Sequence, residues 1–272
     1  MIKLAEGKTK IIEVEDKDST IVTITSKDDL TAGDGARRLE LPGKGAASNE
    51  TTSSVFQLLN REGVPTHYLH WESLKRFSAR RARQIPIEVV IRGQAEGSYL
   101  QRHPEVSKGI EFDEPVVEFY LKDDARHDPL MVWDTERRVW LLFDAHQPVS
   151  NGPIGELTDV LENVPTDPAA IEKMIAVARK VFIILRKAWA KKGCRLKDLK
   201  IEFGYDWEIG GLKVTDVIDN DSWRVESEKE ELSKQRFRDM TWPLSEEDKT
   251  VILQLYRRVA KLARDFPVID LD

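Results

Sequence analysis

The sequence is short of the residues that mark several large protein classes. Among 272 residues there is one cysteine, Cys194. A lone thiol forms no intramolecular disulfide and supplies no zinc knuckle, so a reducing cytoplasmic setting is expected, with Cys194 a structural or surface thiol in a turn. No run reaches the roughly 18 apolar residues of a membrane helix, and the opening MIKLAEGKTK lacks the apolar stretch of a secretory leader. Export and membrane spanning are therefore not expected. A dominant charge sign is missing too: 42 basic and 48 acidic side chains leave a net charge of −6. That balance favours solubility and argues against general nucleic-acid binding. Also absent are G-x-G-x-x-G, a Walker loop, G-x-S-x-G, H-E-x-x-H and the HRD/DFG pair, which removes weight from protein-kinase and hydrolase readings.

What is present is a chain that is 40% hydrophobic, enough for one large domain or two lobes. The first third reads as short β-branched strands, KIIEVE, TIVTIT and IEVVIRG. Between the last two lies a helix with Ser48 or Asn49 as N-cap and Val55, Leu58 and Leu59 on its apolar face. A short helix is expected over 98–104 and a hairpin over 132–143. Asp167-Pro168 opens a long amphipathic helix to about Lys192. LKDLKIEFGYDW and LKVTDVIDN then read as two strands joined by EIGG, and a final helix starts at Ser245 with Glu247 completing a capping box. The fold class is α+β, with a strand-rich N-terminal lobe and a mixed C-terminal lobe.

Several segments concentrate chemistry. In EGKTK, glycine lets the backbone approach a ligand, and Lys8 and Lys10 share one side of an extended chain. The pair suits nucleotide phosphates, and equally a solvated turn. The loop from Ser26 to Arg37, containing Asp34, is dense in small and polar residues that can wrap a polar ligand or simply connect strands. Arg92 ends an apolar strand that contains Glu88, and Ser98 opens a helix, a combination fit for a phosphate or for an ion pair and an ordinary cap. KDDARHD gathers Lys122, Asp124, His127 and Asp128, although one histidine among scattered carboxylates lacks metal-site spacing. In the C-terminal hairpin, Glu202 and Asp216 stand among apolar neighbours. They are suited to hold Mg²⁺ beside a nucleotide, or to form an ion-pair ladder with Lys200. Arg224 follows as a candidate anion clamp.

Taken in order, EGKTK, SKDDLTAGDGAR, GKGAASN, PIEVVIRGQAEGS, LKDDARHDP, KIEFG and VIDNDSWR resemble the SAICAR synthetase family over about residues 4 to 240. The segment 133–165 carries none of these blocks, and the tail after Trp242 shows only a helical pattern. The resemblance implies a carbon–nitrogen ligase with a nucleotide-binding lobe over 1–85, a larger lobe over 86–272, and the active site in the cleft between them. It implies ATP, L-aspartate and carboxyaminoimidazole ribotide as substrates, with no nucleic-acid or membrane partner and homo-oligomerisation left open. Carried over, Lys8, Lys10 and Glu88 fall on the ATP side, and Glu202 and Asp216 on Mg²⁺. Asp34, Arg92, Ser98 and Arg224 fall on the other substrates, and Lys200, Lys122 and Asp128 on the reacting groups. A related ATP-dependent enzyme on the same scaffold, or a non-catalytic nucleotide-binding protein, are the alternatives.

Overall fold

The computed structural model describes residues 1–32, 37–157 and 161–271. Asp34 lies outside the described residues.

The N-terminal part is a five-stranded antiparallel sheet. Its strands are β1 (Ile2–Glu6), β2 (Lys10–Val14), β3 (Ile21–Ser26), β6 (Tyr68–Ser73) and β7 (Arg76–Arg80), in the order β1-β2-β3-β7-β6. Between β3 and β6 come a small hairpin, β4 (Asp29–Ala32) with β5 (Arg37–Glu40), and helix α1 (Lys44–Arg61). The chain then changes sheets within two residues, because β8 (Ala82–Gln94) already belongs to the second sheet. That sheet has the order β12-β11-β10-β9-β8-β13-β14. Its strands are β9 (Glu111–Leu121), β10 (Leu130–Asp134), β11 (Val139–Phe143), β12 (Gly155–Glu156), β13 (Cys194–Asp206) and β14 (Leu212–Thr215), and β15 (Trp223–Ser227) pairs with the first half of β13. Helix α2 (Ser98–Arg102) follows β8, α3 (Pro168–Ala190) covers the second sheet, and α4 (Gln235–Asp239) and α5 (Glu246–Ala263) close the chain. Among the described residues no helix is long and apolar enough to cross a membrane.

Alternation along the central strands builds the core and frees one face for chemistry. Ile85, Ile87, Val89 and Ile91 of β8 are fully buried, as are Phe203 and Leu199 of β13. They pack in one cluster with Val181, Phe182 and Leu185 of α3. Gly93 is where that helix comes closest. A Cβ there would lie 2.8 Å from the ring of Phe182, so only glycine fits without a shift. Even-numbered residues of the same strands face the other way, among them Glu88 and Arg92 of β8 and Lys200 and Glu202 of β13.

Five features depart from expectation. Helix α1 starts at Lys44, with Gly43 at its N-cap, so Ser48 and Asn49 are buried inside it. The reason is tertiary: the carboxylate of Asp28, far upstream, accepts from the Gly45 N–H at 2.8 Å and does the work of a local cap. The hairpin of β6 and β7 was not anticipated, since its β6 strand is largely exposed and polar. In α5 the capping box closes from Ser245 to Asp248 rather than to Glu247. Finally, Asp216 is not in a strand. Glu202 pairs with Thr215, the last residue of β14, and Asp216 turns away with φ of 63°. Cys194 is a buried, structural thiol at the first position of β13 rather than in a turn.

Candidate active site

Two contiguous cavities of about 690 and 770 Å³ lie on the free face of the second sheet, and Glu88, Asp124, Asp128 and Arg238 line both. The first also takes in Lys8 from the turn between β1 and β2 and Lys10 from the start of β2, with Lys122, Lys200 and Asp216. The second takes in Arg92, Ser98, Tyr120 and Arg224. Eleven of the twelve site residues singled out from sequence fall within the described part. Ten of them line one or both cavities.

Glu202 is the exception, being 5% exposed and seated behind two lysines. Lys122 Nζ is 2.9 Å from both carboxylate oxygens, and Lys200 Nζ is 3.4 Å from one and 2.9 Å from Glu88. Burial alone would favour a neutral Glu202, but Lys200, Lys122 and Lys10 outweigh it and hold the carboxyl at about 2. Lys200 is shifted upward: burial opposes its charge, and Glu88 and Glu202 restore it. Lys10 contacts the carboxylate of Asp216. The ion-pair ladder weighed as an alternative is thus present in altered form, with Lys10 in the place expected for Lys200 beside Asp216.

The second cavity rests on a buried network. Arg92 is 3% exposed, and its Nε donates to Glu118 at 2.5 Å. Its Nη1 donates to Asp198 and to the Glu96 carbonyl, each at 3.2 Å, and its Nη2 to Ser98 Oγ at 3.3 Å. Glu118 also takes a hydrogen bond from Tyr120 at 3.1 Å and contacts Arg102. Arg102 reaches on to the Ala145 carbonyl at 2.9 Å. Burial would raise the Glu118 carboxyl, but Arg92 and Arg102 bring it below its ordinary value. Asp198 is shared between Arg92 and Arg224. Residues of the adjacent β8 and α2 are thereby gathered with Arg224 of the distant β15 into one cationic wall.

The KDDARHD block forms a tight turn between these walls. Asp123 caps a 3-10 turn over Asp124–Arg126, its own N–H is bound by Asp128 at 2.7 Å, and His127 and Asp128 both have positive φ, 56° and 49°. Two successive non-glycine residues in that region are costly, and such strain concentrates at functional sites.

Several site residues escaped the sequence reading. Lys234 and Arg238 line the cavities from a segment that reads only as a charged run. Arg238 is pushed below its ordinary value by burial and then by Arg224 beside it. Lys44 is almost fully buried inside α1 and faces Asp221 at 3.6 Å, while Asp221 also meets Lys234 at 3.3 Å and Tyr256. These partners come from three distant segments, so no local spacing announces them.

As to a metal, no group of three or more His, Cys, Asp or Glu side chains able to hold one occurs among the described residues. Of the two carboxylates expected on Mg²⁺, Asp216 lines the first cavity, whereas Glu202 stands behind Lys122 and Lys200; two carboxylates are as many as that ion usually takes from protein, phosphate oxygens and water completing its octahedron.

Comparison with known proteins gives a consistent result. A family model described as SAICAR synthetase matches residues 3–254. A phosphoribosylaminoimidazole-succinocarboxamide synthase of Roseiflexus sp. is 41% identical over 95% of this chain and 95% of its own. One from Chloroflexus aurantiacus is 45% identical over 82% of this chain and 79% of its own. Among solved structures, a SAICAR synthetase (Type-2) in complex with ADP superposes with a TM-score of 0.74 at 29% identity, covering 95% of this chain and 96% of its own. The synthase from Ehrlichia chaffeensis gives 0.74 at 27% identity, covering 96% and 98%.

Proposed function

Because the chain belongs to the SAICAR synthetase family, ATP-dependent ligases that join L-aspartate to carboxyaminoimidazole ribotide in purine biosynthesis, we propose how its two cavities divide that reaction. The lysine-rich cavity takes the nucleotide, with Lys8 and Lys10 on its phosphates, Glu88 on the nucleotide side, and the N-terminal residues 1–85 as the nucleotide lobe. The arginine-rich cavity takes the ribotide, with Arg92, Ser98 and Arg224 on its anionic groups; Asp34 is a further substrate-binding residue on the resemblance alone. The single observation that carries this division is the shared wall of Glu88, Asp124, Asp128 and Arg238. A ribotide anchored at the arginines reaches the nucleotide end without leaving protein.

A carboxylate is a poor acyl donor until one oxygen becomes a leaving group. In our reading a ribotide carboxylate oxygen attacks the terminal phosphorus of ATP, the bond to ADP breaks, and an acyl phosphate forms. The aspartate amine then attacks the acyl carbon, the carbon–oxygen bond to phosphate breaks, and the nitrogen loses its proton as the amide forms. Lys122 and Lys200 stand where negative charge accumulates during phosphoryl transfer and stabilise it, and Asp128 holds the turn that shapes the junction. Mg²⁺, held by Glu202 and Asp216, would add neutralisation of the nucleotide phosphates. We place the enzyme in the cytoplasm, acting on small molecules alone.

ADP release measured in a coupled assay is expected to require aspartate and the ribotide together. Titrating Mg²⁺ against the E202A and D216A variants should raise the half-saturating concentration in both. A shift in D216A alone would make Glu202 an ion-pairing residue, and ADP release indifferent to aspartate would overturn the ligase assignment.

A further inference from the structure

His67 is buried, lines neither cavity and has no part in the chemistry above, yet it is bound to the backbone of a residue that does. It lies just before β6, in the N-terminal part, where Pro65–His67 runs beside β14. Val214 N–H donates to the Pro65 carbonyl at 2.9 Å, and His67 N–H donates to the Val214 carbonyl at 3.0 Å. The ring is packed edge-on against Phe56 and Phe77, with centroids 5.3 and 5.8 Å away. Its Nε2 lies 3.0 Å from the carbonyl oxygen of Asp216. A carbonyl only accepts, so Nε2 carries the hydrogen. Burial, followed by the charges of Lys10 and Lys213, lowers the imidazole to about 3, so the ring stays neutral at working pH.

Asp216 is the residue that most needs such a hold. Its φ of 63° lies in the left-handed region, uncommon for residues other than glycine although less so for aspartate, and a hydrogen bond to its carbonyl helps select that turn. It stands one residue beyond the end of β14, where ladder hydrogen bonds stop. Its side chain lines the first cavity and meets Lys10 of β2. One side chain of the N-terminal part is therefore hydrogen-bonded to the backbone of Asp216, just beyond the second sheet.

We propose that His67 is a positioning residue, whose Nε2–H holds the Asp216 backbone in its left-handed turn and so sets the carboxylate for the metal–nucleotide end of the cavity. This rests on the reading of Asp216 as a Mg–ATP ligand. Loss of a partner that orients a metal ligand typically costs about 10- to 100-fold in metal affinity.

The test uses the full-length enzyme and compares H67F, which keeps ring packing but has no donor, with H67Q, whose amide can replace it. H67F is expected to raise the Kd for Mg–ATP, read by calorimetry without turnover, and the half-saturating Mg²⁺ about tenfold or more, with the ribotide KM within about twofold of the parent. H67Q is expected to restore most of the loss. In a D216A background H67F should add nothing to the ATP defect. Where H67F does not fold, H67N replaces it, since its amide is too short to reach. Equal ATP parameters in the donor-bearing and donor-lacking variants, or parallel changes in ATP and ribotide KM, would overturn the proposal. If D216A leaves Mg–ATP binding intact, the reading of Asp216 itself fails. A D216A defect alongside a normal H67F overturns only the role of His67.

Discussion

At Glu202, burial and charge pull in opposite directions, and the lysines win. The carboxyl is held at about 2 against an ordinary 4.5. A lowered carboxyl contributes stability that is fully present above 4.5 and is lost as pH falls toward 2. The span corresponds to about 3 kcal/mol at most. E202Q is therefore expected to be less stable than the parent at pH 7, with the gap closing below pH 4.5, as read by urea unfolding at a series of pH values. A gap independent of pH would show that Glu202 matters by packing alone. Residues of this kind were legible in sequence only where spacing carried the signal. Lys200 and Glu202 announce a shared face by period two, and Arg92 and Ser98 bracket a strand-to-helix turn. Lys44, Lys234 and Arg238 gave no such sign, because the carboxylate they face, Asp221, lies on another segment.

At the scale of elements, the join between β8 and α2 shows how backbone geometry serves a distant side chain. Gly97 has φ of 57°, and a Cβ there would lie 2.5 Å from the guanidinium of Arg224. G97A thus imposes a left-handed alanine and displaces the arginine. The expected outcome is a ribotide KM raised about tenfold, the worth of roughly one charge-assisted hydrogen bond, with the ATP KM nearly unchanged. Initial-rate kinetics with each substrate varied would show it, and an equal loss for both substrates would contradict it. Elements governed by their own pattern were readable: the central strands by alternation, and α3 by its Asp167-Pro168 start. Ends fixed by tertiary partners were not. Asp28 caps α1 from 17 residues before Gly45, and Asp216 leaves the ladder where His67 takes hold of its carbonyl.

At the scale of the molecule, two sheets change over between Arg80 and Ala82, and the free face of the second becomes the floor of a continuous cleft. Lysines occupy one end, arginines the other, and the shared wall lies between. This layout makes sense of a ligation in which one anionic substrate must be fixed at its far end while its carboxylate is phosphorylated. The most direct test follows one oxygen atom. With ribotide carrying oxygen-18 in its carboxylate, the account predicts that each turnover delivers one labelled oxygen to the released phosphate. Phosphate free of label, with the amide still formed, would contradict it.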